Sequence, residues 1–230
     1  MPETRKRFHD ELASLEEQVL QMGERAQVAV EQAVRALTHR DAALAESVIV
    51  GDDRLDATYK DIEERTFNLL ATQTPVASDL RLVFAILHTS MHLERVGDQG
   101  VNIAKMALAT MSLPSSPTIV SHLEEMGEVV SSLLHTALEA FASRDAELAV
   151  QLESMDEPVD RLNRNMYREV ATLADDLQAL EWGIRMNVVS RQLERVGDNA
   201  VDIGEQVVFL RTGEFTEFSD ASHPGPPEGS

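Results

Sequence analysis

The sequence of 230 residues contains no cysteine, few aromatic residues and no long apolar run. Without cysteine it can form neither disulfide bonds nor thiolate metal sites, so any metal must be bound by oxygen or imidazole ligands. The absence of cysteine also suits a reducing compartment. Aromatic residues make up 4% of the chain and hydrophobic residues 43%. Because leucine, valine, alanine and methionine carry the apolar content, the composition favours helices over sheets.

Apolar segments are too short to predict a membrane span. The longest uninterrupted run covers residues 82–87, whereas a membrane-spanning helix needs about 20 apolar residues. Residues 1–17 lack the apolar core of a signal peptide. We therefore expect a soluble cytoplasmic protein that does not insert directly into a membrane.

Basic residues are also scarce. Acidic residues outnumber them by 40 to 20, which gives a formal net charge of -20. The resulting field repels polyanions and attracts cations or basic protein surfaces. We therefore expect no nucleic-acid partner.

Helical periodicity runs almost without interruption over residues 8–210, and its few breaks predict six long helices in an all-α fold. Asp41 is placed to cap the start of the second helix, and Thr74 with Pro75 to begin the third. Two prolines and three serines within residues 112–118 indicate a connection between the third and fourth helices.

The second half of the chain repeats the plan of the first. "HLERVGDQGVNIAK" at residues 92–105 returns as "QLERVGDNAVDIGE" at residues 192–205, and "HRDAALAESVIVGDDRLD" at residues 39–56 returns as "SRDAELAVQLESMDEPVD" at residues 143–160. Three helices joined by short turns pack antiparallel. The sequence therefore predicts two tandem up-down-up three-helix bundles.

These repeats set the expected domain boundaries. The first bundle is expected over residues 1–113, the second over residues 118–212, and a disordered C-terminal tail over residues 213–230. The fourth helix is expected to begin at Thr118 or Ser121, and the last junction to lie at Asp175 and Asp176.

Acidic residues recur every four positions beside the apolar stripe of the third and sixth helices. The stripe is typical of a buried helix face and comprises Leu93, Val96, Gly100, Ile103 and Ala107 in the first half and Leu193, Val196, Ala200, Ile203, Val207 and Leu210 in the second. Beside it lie Glu94, Asp98 and Asn102 in the first half and Glu194, Asp198 and Asp202 in the second. The second helix of each half adds Asp52 with Asp56 and Asp156 with Asp160.

This acidic spacing is costly for a helix and predicts a cation that offsets the cost. Like charges four residues apart destabilise a helix by roughly 0.2–0.5 kcal/mol per pair. Carboxylate and amide oxygens on neighbouring helices are hard ligands, suited to Mg, Ca, Mn or oxygen-bound iron and zinc. Gly97 and Gly197 each cost a helix about 1 kcal/mol relative to alanine, which indicates that something approaches the backbone closely there.

The alternative is a solvated acidic surface, on which Arg95 and Arg195 supply surface ion pairs. Repetition of the spacing in four helices favours cation binding. His88 and His92 are also four residues apart, but the second half has Val188 and Gln192 at these positions. We therefore interpret both histidines as packing or surface residues.

The blocks "LERVGDQGVNIAK" and "LERVGDNAVDIGE", with "QTPVASDLR" at residues 73–81 and "FLRTGE" at residues 209–214, resemble the PhoU family of phosphate-uptake regulators. The resemblance covers both halves, from residue 8 to about residue 215. It implies two PhoU-type bundles related by pseudo-twofold symmetry, in a cytoplasmic protein that forms a homodimer.

The resemblance also implies a function. Such a protein links the ATPase of the phosphate ABC transporter to a phosphate-sensing histidine kinase, and it keeps the phosphate-starvation response off when phosphate is plentiful. The repeated Glu/Asp-x-x-x-Asp motif implies bound metal ions, with iron, zinc, magnesium or manganese as candidates. The implied ligands are Glu94, Asp98, Glu194 and Asp198 with Asp52, Asp56, Asp156 and Asp160, and Asn102 and Asp202 follow one turn later.

Two other functions fit an acidic helical chain. A ferritin-like di-iron enzyme would carry Glu-x-x-His on two helices, and no such sequence occurs here. A purely structural bundle would use the acids for solubility alone. Since no nucleophile lies in a recognisable catalytic motif, we expect a non-enzymatic protein.

Overall fold

Six α-helices separated by short connections form the fold in the computed structural model, which describes residues 3–73 and 75–218. They are α1 (Glu3–His39), α2 (Ala42–Thr72), α3 (Ala77–Ala109), α4 (Pro117–Ser143), α5 (Ala146–Ala171) and α6 (Leu177–Thr212). Among these residues there is no strand, which confirms the predicted all-α class. None of the helices described is long and apolar enough to cross a membrane.

Aspartates cap three of the helices. The Asp41 carboxylate accepts a hydrogen bond from the Leu44 amide at the start of α2, and Asp145 and Asp176 accept bonds from the first turns of α5 and α6. Such bonds satisfy amide groups that have no partner within the helix. The predicted cap at Asp41 is confirmed, and the last junction lies at Asp175 and Asp176 as expected.

Two predicted helix starts are wrong. Helix α3 begins at Ala77 rather than at Pro75, because the carbonyl of Val76 accepts the first helical bonds, from the amides of Asp79 and Leu80. The predicted cap at Thr74 lies outside the described residues. Helix α4 begins at Pro117, before the predicted Thr118 or Ser121, since proline has no amide to satisfy and its fixed φ suits the first helical position.

Each half forms a three-helix bundle, and the two bundles join along two seams. Helices α1, α2 and α3 pack on one another, as do α4, α5 and α6, while α3 packs on α6 and α1 on α4. The predicted apolar stripes of α3 and α6 are buried at every position. Helices α2 and α5 therefore lie outermost and each contacts only its own bundle.

The α3–α6 seam shows the pseudo-twofold relation of the bundles. His92 of α3 meets Asp202 of α6, and Asn102 of α3 meets Gln192 of α6. Residues 92 and 102 of one helix correspond to residues 192 and 202 of the other after a shift of 100, so the two pairs are equivalent. Because residue 92 meets residue 202 and residue 102 meets residue 192, the helices run antiparallel and are level with each other at Gly97 and Gly197. The predicted pseudo-twofold arrangement is confirmed.

The chain continues beyond α6 along the surface of that helix. The ring of Phe215 stacks on that of Phe209 at 4.2 Å between centroids, and the amide of Phe218 donates to Glu205 Oε1 at 2.7 Å. Residues 219–230 of the predicted tail lie outside the described residues.

Candidate functional site

The first acidic cluster lies where α2 crosses Gly97 of α3. A Cβ atom at residue 97 would stand 3.0 Å from Leu55 Cδ2 and 3.4 Å from Asp52 Oδ1. The missing side chain therefore lets α2 pack closely on α3. This approach brings Asp52 and Asp56 of α2 into the electrostatic neighbourhood of Glu94 and Asp98 of α3.

Carboxylates in the first cluster repel one another. Burial raises the pKa of Asp52, and the charges of Asp56 and Asp98 raise it further, against a smaller opposing effect of Lys105. Burial likewise raises the pKa of Glu94, with added repulsion from Asp98 and Asp56. The site therefore disfavours its own negative charge, and a bound cation would relieve that cost.

The second cluster is more deeply buried than the first. Asp156 and Asp160 of α5 are each only 8% exposed. A Cβ atom at Gly197 would stand 2.2 Å from Asp156 Oδ1, so any side chain there would force this carboxylate to move. Arg164 Nη1 lies 3.6 Å from Asp160 Oδ2. The predicted close approach at Gly97 and Gly197 is confirmed. In both halves the groups next to the glycine include an aspartate side chain of the outer helix, Asp52 at Gly97 and Asp156 at Gly197.

The two remaining acids of the second half lie on α6 beside this contact. Glu194 is half-buried and Asp198 is exposed, as are their counterparts Glu94 and Asp98 on α3. Each half thus has two carboxylates on the outer helix and two on the inner helix beside the contact at its glycine. The outer pair is buried in the second half and half-buried in the first.

Asn102 and Asp202 lie at the seam between the bundles. The Asn102 amide donates to Gln192 Oε1 at 3.4 Å, and Asp202 Oδ2 lies 3.3 Å from His92 Nδ1. Burial raises the pKa of Asp202, while His92 and Arg95 oppose that rise. The contacts of these two predicted ligands therefore join the bundles.

Sequence reasoning missed the polar centre of this seam. His92 is a buried packing residue, one of the two roles expected for it, and its Nδ1 lies 3.0 Å from Asn199 Oδ1. Burial lowers the pKa of His92, against the opposing effects of the Asn199 hydrogen bond and the Asp202 charge. Gln99 and Gln192 are buried at the equivalent positions. Polar residues repeated 100 positions apart within the apolar pattern are the signal that would have revealed them.

The carboxylates do not form a complete coordination sphere in either cluster. Within the described part of the chain, no three histidine, aspartate or glutamate side chains converge closely enough to hold one ion. The acids instead lie beside the contact between two helices in each bundle. What these contacts provide is a concentration of hard oxygen donors at equivalent places in the two halves.

Comparison with known proteins identifies the repeated unit. The family model described as the PhoU domain matches twice, at residues 19–107 and 123–207. A relative from Caulobacter vibrioides, named phosphate-specific transport system accessory protein PhoU homolog, is 36% identical over 92% of this chain and 92% of its own. A homolog of the same name from Pseudomonas aeruginosa is 33% identical over 96% of this chain and 89% of its own.

Solved structures share the fold. The crystal structure of PhoU from Pseudomonas aeruginosa covers 90% of this chain and 100% of its own at 34% identity, with a TM-score of 0.86. That of the phosphate transport system regulatory protein PhoU from Streptococcus pneumoniae covers 92% and 100% at 30% identity, with a TM-score of 0.85. Both likenesses extend over the two bundles and the seams that join them.

Proposed function

Since this chain belongs to the PhoU family, we propose that it is a regulator of phosphate uptake and of phosphate-starvation signalling. In this proposal it acts in the cytoplasm, links the ATPase of the phosphate ABC transporter to a phosphate-sensing histidine kinase, and keeps the starvation response off when phosphate is plentiful. The observation that carries the proposal is the match, over 92% of this chain and both of its halves, to a relative named as an accessory protein of phosphate transport.

A non-enzymatic role fits the chemistry of the chain. No cysteine nucleophile is available, and no histidine follows a glutamate at the di-iron spacing. Among the described residues His92, the most buried histidine, bonds to Asn199 and Asp202 at the seam. We therefore expect this protein to act by binding its protein partners and changing their activity.

Cation binding at the two acidic clusters is the second part of the proposal. Glu94 and Asp98 with Asp52 and Asp56 would serve one site, and Glu194 and Asp198 with Asp156 and Asp160 the other. Hard oxygen donors suit magnesium, manganese or oxygen-bound iron and zinc. Support comes from the raised pKa values of Asp52 and Glu94 and from the glycines that let the helices approach.

The regulatory role is tested with a phosphate-starvation reporter in the source organism. Deletion of the gene should switch the reporter on in phosphate-rich medium, because the negative regulator is missing, and the wild-type gene supplied in trans should silence it. Reporter activity is measured at high and low phosphate in all three strains. A reporter that stays silent at high phosphate after deletion would contradict the proposal.

A further inference from the structure

One broad surface of the molecule is formed jointly by α3 and α6, and we call it the α3–α6 face. Helix α3 packs on α1, α2 and α6, and helix α6 packs on α4, α5 and α3. Because α1 and α4 pack on each other behind the α3–α6 seam, the open sides of α3 and α6 point the opposite way. Both helices therefore present their exposed side chains on this single face.

Both ends of the α3–α6 face carry exposed apolar side chains. At one end these are Phe67 of α2 and Leu80 and Phe84 of α3, which are 56%, 36% and 42% exposed; at the other they are Tyr167 of α5 and Ile184 and Val188 of α6, which are 57%, 56% and 42% exposed. Scattered exposed apolar residues need no explanation, but grouped ones mark interaction sites. The grouping at equivalent places in two bundles favours an interaction.

The packing registers place the outer-helix residues beside the inner ones. Gly97 lies against Asp52 and Leu55, so in this antiparallel pair Phe84, thirteen residues earlier, is level with residues 65–68 of α2. In the other bundle Ser190 bonds to Asn163, which brings Tyr167 level with residue 186, between Ile184 and Val188. Each end is thus a patch in which exposed apolar side chains of two neighbouring helices lie at the same level.

Charged residues separate the two patches. Phe84 and Ile184 each lie thirteen residues from the level of Gly97 and Gly197, so at a rise of 1.5 Å per residue the patches are about 40 Å apart. Between them lie the exposed Arg95, Arg191 and Arg195 with the exposed Asp98 and Asp198, and Asp202 at the seam. The acidic clusters flank this middle section on both sides.

We propose that the α3–α6 face docks a partner protein with a twofold axis of its own, each subunit of which presents an apolar contact with basic residues beside it. The pseudo-twofold axis relates the two patches, so a symmetric dimer can engage both with the same surface. The net charge of -20 favours a basic partner, whereas a second copy of this chain would bring like charges together. This inference rests on the proposed function, because it assigns the surface used for regulation.

The test measures binding of the full chain to two symmetric probes. The first is the purified phosphate transporter of the same organism, which has two ATPase subunits. The second is the dimeric cytoplasmic part of the histidine kinase. We expect one chain per symmetric probe by light scattering. Phe84→Ser and Ile184→Ser should each weaken binding about tenfold or more, since an interface depends on a few apolar anchors. The matched controls are Val50→Ser on α2 and Val150→Ser on α5, and they should bind as the wild type does. Val50 is 72% exposed and Val150 is 50% exposed.

Leu80→Ser and Val188→Ser serve as second variants, and circular dichroism checks the fold of each protein. If the wild type binds neither probe, both the proposed function and this inference fail. If it binds and the face variants bind equally well, or if two chains bind each symmetric probe, this inference alone is overturned.

Two further results would also overturn it by assigning the face to another occupant. In the first, the face variants no longer self-associate in sedimentation but bind both probes as the wild type does, which would assign the face to a second copy. In the second, the wild type binds vesicles of phosphatidylcholine and phosphatidylglycerol and the face variants do not, which would assign the face to a membrane.

Discussion

Single glycines set how closely the acidic residues of neighbouring helices approach. At Gly197 an added Cβ atom would stand 2.2 Å from Asp156 Oδ1 and 3.0 Å from Asp156 Cγ, whereas at Gly97 the nearest atom is Leu55 Cδ2 at 3.0 Å. Sequence reasoning could predict a close approach at both glycines from their cost in a helix. It could not predict that the second contact is tighter, because this depends on how deeply α5 packs.

Gly197→Ala should therefore destabilise the protein more than Gly97→Ala does. Alanine gains about 1 kcal/mol of helix propensity at either position, but at residue 197 the buried Asp156 must move. We expect the free energy of unfolding to fall by about 1–3 kcal/mol for Gly197→Ala, and to change by less than about 1 kcal/mol for Gly97→Ala. Urea denaturation of the two variants beside the wild type checks this, and equal stabilities of the two variants would contradict it.

At the scale of helices, rows of like charge face one another across the α2–α3 contact. The pKa of Asp52 is raised by burial and then by Asp56 and Asp98, so the folded state disfavours the ionised carboxylate. A carboxylate whose pKa is higher in the folded than in the unfolded protein does not destabilise the fold at a pH below its unfolded-state pKa. It destabilises the fold in full at a pH above its folded-state pKa. The α2–α3 pair should therefore lose stability as the pH rises from the ordinary aspartate value of 3.8.

Asp52→Asn should then stabilise the metal-free protein at pH 7 by about 0.5 kcal/mol, and the gain should vanish when the pH falls below 3.8. Urea denaturation in EDTA at both pH values measures the difference, with Glu46→Gln, an exposed acid of the same helix that does not act on Asp52, as control. Excess Mn²⁺ at pH 7 should reverse the order in favour of the wild type. A gain of the same size at both pH values would rule out this electrostatic origin.

Helix ends were predictable where a side chain decides them. Asp41 was predicted as a cap because a short carboxylate reaches the first free amides, and that preference is local. The starts of α3 and α4 were misplaced because a backbone carbonyl at Val76 begins one helix and Pro117 begins the other. Neither choice is fixed by a side-chain hydrogen bond, so local sequence leaves several positions of similar free energy.

At the scale of the whole molecule, the doubled motif predicted the two bundles and their order. The seams between bundles were harder to predict, since they depend on contacts between residues about 100 positions apart in the chain. His92 and Asn199 illustrate this, because the local sequence of neither residue indicates the other and only the polar residues repeated 100 positions away point to the pair. The placement of Asn102 and Asp202 at the same seam has the same origin.

The repeat also organises the proposed function. Two equivalent acidic clusters flank a face whose apolar ends are related by the same pseudo-twofold axis. Cations at these clusters would offset part of the net charge of -20 and so adjust how strongly the face attracts a basic partner. The central claim is therefore that each half of the molecule holds cations through its own acidic cluster.

Elemental analysis by plasma mass spectrometry on untagged protein tests this claim most directly. The wild type is compared with Asp98→Ala/Asp198→Ala and with the control Glu46→Ala/Glu147→Ala, whose exposed acids lie outside both clusters. The account predicts at least one metal equivalent per half in the wild type and the control, and loss of most of it in the cluster variant, with unchanged helicity. Equal metal content in all three proteins, or none in any of them after incubation with iron, zinc, manganese and magnesium, would contradict it.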